Sequence, residues 1–239
     1  MKCASISAIH RYAYMEDPTR HPEVKIATRK VNRRLGTRFK QALPINRHML
    51  DQMLVACGDD LRGTRNHMLL LVAYNTLRRR SELTSLRVED FAIGADGASV
   101  IMLRQSKTDQ TREGVVLRLD HETTLAINRW LGAANVSDGY LLRGVVGSRV
   151  NESMDPGQIS RAFKSIALKV GLDPMQISGH STRVGAAQDM LSGGASIAQI
   201  MAKVGWSKVD TVMRYVGVGD IVALNSASHS GDLTLRRTD

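Results

Sequence analysis

The sequence predicts a mainly α-helical fold with one small antiparallel β-sheet, an α+β arrangement. Apolar residues recur at helical spacing from Asn46 onward, as in Leu50, Met53, Leu54 and Cys57. Two short β-prone runs, Ser99 to Leu103 and Gly114 to Leu119, flank the polar stretch Gln105 to Glu113 and read as a hairpin with a long tip. Helix-start chemistry then recurs. Asp120 stands as an N-cap before Leu125, Ile127, Trp130 and Leu131, and Asp155-Pro156 opens a segment with Ile159, Phe163, Ile166, Ala167 and Val170 on one face.

Taken in order, residues 1–43 are basic and predict one or two short helices, with Pro18 to Pro22 as a solvated linker. Pro44 marks a boundary, because proline is costly inside a helix. The expected division is therefore a leader over 1–43 and a main domain over 44–239. Gly58 closes the first helix of that domain, and Met68 to Leu77 predicts a central, uniformly apolar helix. Asp90 to Gly97 breaks the helical pattern with Gly94-Ala95-Asp96-Gly97. Gly171 ends the helix that Pro156 begins, and further helices are expected over Ser181–Leu191, Ser196–Val204 and Val209–Tyr215.

At 239 residues and 43% hydrophobic content the chain is long enough to bury a sizeable core. No apolar run approaches the roughly 18 residues of a membrane span. The first six residues are too weakly apolar for a signal peptide. Two cysteines, Cys3 and Cys57, make no disulfide framework, and Cys57 is expected on an apolar helix face, so a reducing, cytoplasmic setting is expected. The net charge of +10 is concentrated at the start, where residues 1–50 hold eleven Lys/Arg against three Asp/Glu. A polyanion, nucleic acid first, is the expected partner. No internal repeat, metal-ligand cluster, Walker loop or dinucleotide fingerprint is present in the sequence.

Chemistry-bearing residues gather late in the chain. His180 and Arg183 in Ser178-Gly179-His180-Ser181-Thr182-Arg183 are one helical turn apart and can face one point. Trp206 and Tyr215 follow, supplying an indole donor and a phenol. Cationic donors beside an oxygen nucleophile are what attack on a phosphate requires. Upstream, Arg78-Arg79-Arg80 alone would read as a basic helix end, but Glu82 lies one turn after Arg79 and can hold its guanidinium in place. Lys107, at the hairpin tip, would ordinarily be a solubilising charge, yet a lysine on a loop can also protonate a leaving oxygen.

The Arg79–Glu82 segment, Lys107, the His180/Arg183 pair, Trp206 and Tyr215, in that order, resemble the tyrosine recombinase (phage integrase) family over roughly residues 45–215. Each motif alone is weak; the five together are specific. The resemblance implies the catalytic domain of a DNA breaking-rejoining enzyme, working without metal or ATP. It implies that Tyr215 forms a 3′-phosphotyrosine, that Arg79 and Arg183 clamp the phosphate, and that His180 assists proton transfer. It further implies that Trp206 donates and packs below the phosphate, that Lys107 protonates the leaving 5′ oxygen, and that Glu82 supports the arginine. Double-stranded DNA is the implied partner, with self-association into a tetramer on DNA and a monomer when free. Arg29, Lys30, Arg33, Arg34, Arg78 and Arg80 are the expected DNA-binding cations. Residues 1–43 are expected to be the last helices of a core-binding domain plus a linker. Leu77 stands where the family usually has glycine, and the segment after Tyr215 is a weak helix former.

Three rivals remain at this level: a truncated or inactive recombinase fragment, a type IB topoisomerase-like enzyme, and a non-catalytic helix-turn-helix DNA binder built on Ala187 to Met201. The last leaves Tyr215 and Arg79 unexplained.

Overall fold

The computed structural model describes residues 2–35, 42–94, 98–105 and 114–216. The chain divides into two compact units, Met1–Gln41 and Ala42–Asp239.

The first unit holds α1 (Lys2–Tyr12) and α2 (Pro22–Leu35). The stretch expected as a linker is instead a capped 3-10 turn, Pro18–Arg20. Asp17 accepts from the Thr19 amide at 3.0 Å and from the Ser7 hydroxyl at 2.6 Å, which ties the turn to α1. Those bonds, that from Ser7 foremost, hold the Asp17 carboxyl down at about 2. The second helix has 14 residues, longer than expected, and Pro22 at its start pre-sets the first helical turn.

In the second unit, α3 (Arg47–Val55) starts at an Asn46 cap and α4 (Leu61–Thr76) at an Asp60 cap. Cys57 lies just beyond α3 rather than on it, buried, with its thiol donating to the Met53 carbonyl at 3.3 Å. The short α5 (Arg80–Thr84) leads to a three-stranded antiparallel sheet in the order β1 (Phe91–Ile93), β2 (Ser99–Leu103), β3 (Val115–Leu119). The hairpin expectation holds, with Leu103 opposite Val115 and Ser99 opposite Leu119. The first strand was not expected, because three residues ahead of a turn show no alternation. Side chains of Ile101, Leu103, Leu117 and Leu119 point inward.

Asp120 caps α6 (His121–Ala134), accepting from the Thr123 amide at 2.7 Å. Trp130 is fully buried and donates to the Leu141 carbonyl at 2.9 Å, whereas Leu125, expected on the same apolar face, is 54% exposed. A two-residue hairpin, β4 (Val145–Val146) and β5 (Arg149–Val150), precedes α7 (Pro156–Lys169), which opens at the Asp155 cap as expected. The main core joins α4, α6 and α7 to the sheet. A second cluster of Leu77, Ala186, Ala187, Leu191, Ile200, Val204 and Val212 joins α8 (Ser181–Ser192), α9 (Ile197–Val204) and α10 (Val209–Val216). That smaller cluster positions the site. No described helix is long and apolar enough to cross a membrane.

Candidate active site

The site begins where α4 ends. Leu77 adopts a left-handed conformation, φ 54°, which turns the chain out of the helix while its side chain stays buried. The next two arginines then take opposite directions. Arg78 turns inward: it is 4% exposed, and its guanidinium donates to the carbonyls of Thr76 (3.0 Å) and Lys203. It is a buried fastener in this structure, whereas the sequence places it among the DNA-binding cations. Arg79 faces the cleft at the start of α5. Glu82 accepts from its backbone amide at 2.9 Å and from its Nη1 at 2.7 Å, fixing both ends of the residue. Burial opposes ionisation of Glu82, but these two bonds and the Arg78 charge outweigh it and hold the carboxyl below its usual range. Arg80 is half-buried and donates to the Ser160 hydroxyl of α7 at 3.0 Å. Its stem lies so close to Gly179 that a Cβ there would sit 2.1 Å from Arg80 Cδ, so glycine makes room for it.

The second wall is α8. Ser178 anchors its entry, its hydroxyl accepting from the His180 amide at 3.1 Å and its amide donating to the Ser181 hydroxyl at 3.0 Å. Helix α8 also lies against the segment before α3: the Ile45 amide donates to the Ser181 carbonyl at 2.9 Å. The approach is possible because Gly185 has no side chain; a Cβ would lie 1.9 Å from the Ile45 carbonyl oxygen. His180 opens onto solvent, but partial burial, then the charges of Arg183, Arg80 and Arg79, lower its pKa, which favours the neutral ring. Arg183 is 3% exposed, and its Nη2 donates to the Val204 carbonyl at 2.8 Å. Its Nε finds no acceptor among the described residues. Burial, followed by the Arg79 charge, pushes Arg183 down to about 10.

Gly205 ends α9 in the left-handed region, φ 73°, and sends Trp206 back toward α8. The Arg183 guanidinium lies 5.5 Å from the Trp206 ring centre, and the Tyr215 ring stacks on the same indole, with centroids 5.3 Å apart and planes 11° from parallel. Val212, fully buried, anchors α10, and Gln188 Nε2 donates to the Tyr215 carbonyl at 3.0 Å.

Arg79, His180, Arg183, Trp206 and Tyr215 thus line one cleft of about 260 Å³, together with Ser207, Lys208 and Thr211. Glu82 stands behind Arg79. Lys107 lies outside the described residues, as does the segment after Val216. Arg29, Lys30, Arg33 and Arg34 are exposed on α2, in the other unit. The sequence reading did not single out Lys208, Thr211 or Gln188; Lys208, two residues after Trp206, was the one with a signal, a cation inside the motif.

Residues 44–220 match the model of the Phage integrase family. The chain belongs to the phage integrase family. Among relatives of this integrase-family chain, the recombinase Cre of Escherichia phage P1 is 30% identical over 231 residues, covering 88% of this chain and 67% of the relative. An integrase/recombinase, a XerD homolog of Selenomonas ruminantium, is 26% identical, covering 88% of this chain and 64% of its own length. The chain therefore spans about two thirds of the length of these relatives. The crystal structure of XerA recombinase shares the fold, with a TM-score of 0.63 at 19% identity over 87% of this chain and 74% of that one. A lambda integrase dimer bound to a core site gives 0.55 at 13% identity, over 85% of this chain and 64% of that one.

Proposed function

We propose that this chain is a site-specific DNA recombinase that cleaves and rejoins duplex DNA through a 3′-phosphotyrosine at Tyr215. The observation that carries this reading is the convergence, in one cleft, of two guanidiniums, an imidazole, an indole and a phenol from separate parts of the chain. In the proposed step the Tyr215 oxygen attacks phosphorus, the bond from phosphorus to the 5′ oxygen breaks, and the phenolic proton passes to neutral His180. The leaving 5′ hydroxyl takes its proton from Lys107. Reversal with a different 5′ hydroxyl rejoins the strand, so the energy of the phosphodiester is kept in the covalent link.

The two arginines suit the charge that develops. A phenol is largely protonated at neutral pH and needs positive surroundings to react. Arg79 is held by Glu82, and Arg183 lines the same cleft, so two fixed guanidinium charges face the position a phosphate would take. Trp206, in contact with both Arg183 and Tyr215, sets the depth at which the phenol sits. DNA as partner is supported further by α2. Its exposed Arg29/Arg33 and Lys30/Arg34 pairs are each four residues apart and share one face. We place the DNA grip of the leader there, and the tetramer on DNA and the free monomer belong to the same proposal. A purely DNA-binding helix-turn-helix would use α8 and α9 but would leave the cleft without a role.

The test is a suicide duplex with a nick near the scissile phosphate. The intact chain is expected to form a covalent adduct, and Tyr215→Phe to form none while still shifting the duplex on a gel. An undiminished adduct in the Phe variant would overturn the assignment.

A further inference from the structure

A second basic depression lies between the start of α4, β4 and α7. Its volume is about 300 Å³, and its lining includes Arg62, Arg65, Asn66, Gln158, Arg161 and Ser165. Arg65 is 6% exposed. Its Nε donates to Asn66 Oδ1 at 2.9 Å, and its Nη1 reaches the Arg143 carbonyl at 3.4 Å and Met154 Sδ at 3.2 Å. Arg62 donates to the Val145 carbonyl at 3.3 Å. All these acceptors are neutral. Among the described residues no carboxylate pairs with Arg62, Arg65 or Arg161.

Gathering three guanidiniums without a counter-charge is unfavourable, most of all for the buried one. Burial, then the Arg62 charge, indeed pushes Arg65 down to about 10. The bonds of Arg65 fasten the segment around Arg143 and Met154, which accounts for that residue as a strut. They do not account for exposed Arg62 and Arg161 flanking it, nor for its Nη2, which has no acceptor among the described residues.

We propose that this cleft is a second anion site, taking a phosphate group between Arg62, Arg65 and Arg161. An anion there would supply the missing counter-charge, with Ser165 available as a further donor. The site is distinct from the cleft around Tyr215. From Arg65 to Thr76 the chain climbs about 16 Å along α4 before Arg79 is reached. The two are nevertheless mechanically joined, since Ser160 accepts from Arg80 and its neighbour Arg161 faces the second cleft. Phosphates recur about every 3.4 Å of axis along each DNA strand, so a duplex over the first cleft can present one to the second. A soluble phosphate-bearing ligand offers the same chemistry.

Two measurements on the intact chain and on the Arg62→Gln/Arg161→Gln double variant test this, and neither depends on strand transfer. Both changes are on exposed side chains, so the fold is retained. In the first, pyrophosphate is added and amide hydrogen exchange is followed in peptides covering 61–66 and 157–162. Protection in the parent chain that is lost in the variant is the expected result. In the second, duplex affinity is measured against salt, and the variant is expected to show a slope of log affinity against log salt shallower by about 1, one phosphate contact. Lost protection with an unchanged slope assigns a soluble phosphate ligand to the site; a shallower slope assigns the DNA backbone. Parent and variant indistinguishable in both measurements would overturn the proposal.

Discussion

Adjacent arginines at 78, 79 and 80 have three different environments, and this decides what each substitution does. Arg78 satisfies two buried carbonyls, so Arg78→Met should lower stability by about 1–3 kcal/mol, the penalty of leaving such groups unpaired. Arg79→Ala should reduce the adduct rate by about 10²–10³, the usual loss of one donor to developing charge, and should also lower the melting temperature, because buried Glu82 loses its guanidinium partner. Thermal melts beside suicide-substrate kinetics check both; a rate loss in Arg78→Met without a loss of stability would reverse the assignment. The third arginine acts through His180. Because burial and three guanidiniums lower the His180 pKa, the acid limb of the rate should fall below pH 6.5. The sign follows from the proposed role of neutral imidazole as the proton acceptor. Folding weakens in the same direction, since below that pH the unfolded chain binds the proton more readily. Removing one positive neighbour in Arg80→Gln should move the acid limb upward, and a pH-rate profile that stays in place would contradict that coupling.

At the scale of elements, the site depends on how closely α8 can approach the segment before α3. Gly185→Ala would put a methyl where the Ile45 carbonyl stands, and backbone cannot yield as a side-chain tip can. Overpacking of this kind typically costs 1–3 kcal/mol, so urea unfolding should shift by about that amount, with the adduct rate falling because Arg183 sits on the same helix. An unshifted urea midpoint would show that the close approach is absent. Elements whose boundaries depend on local chemistry were legible in the sequence: Asn46, Asp120, Asp155 and Ser196 each cap a helix where the residue types indicate. What escaped depended on distant partners. Strand β1 exists because Phe91 to Ile93 pair with Ser99 to Ile101, not because three residues carry a pattern. Leu125 fits the helical period of α6, yet among the described residues it is left 54% exposed. Nothing in Arg78-Arg79-Arg80 reveals which side chain turns inward, since the left-handed Leu77 sets that. The order of His180, Arg183, Trp206 and Tyr215 was readable. The tie from Gln188 to the Tyr215 carbonyl was not, because it links residues 27 apart.

For the whole molecule, the separation into two units assigns charge and chemistry to different bodies. Residues 1–41 hold ten Lys/Arg against three Asp/Glu, while the cleft lies wholly in 42–239. A chain beginning at Ala42 should therefore keep the fold of its unit and bind duplex DNA less tightly. With four exposed cations on α2 making two or more phosphate contacts, the salt dependence should flatten by about 2 in slope. Filter binding across a salt series measures this, and an unchanged slope would remove α2 from the interface. The contacts of Trp206 with Arg183 and Tyr215 bear on light as well as chemistry. The protein has two tryptophans, and Trp130 is sealed in the core with its indole nitrogen engaged. Its emission is expected to stay constant while that of Trp206, in contact with a guanidinium and a phenol, changes when either neighbour moves. Ultraviolet excitation therefore reads the state of the cleft directly, with Trp130 as the internal reference.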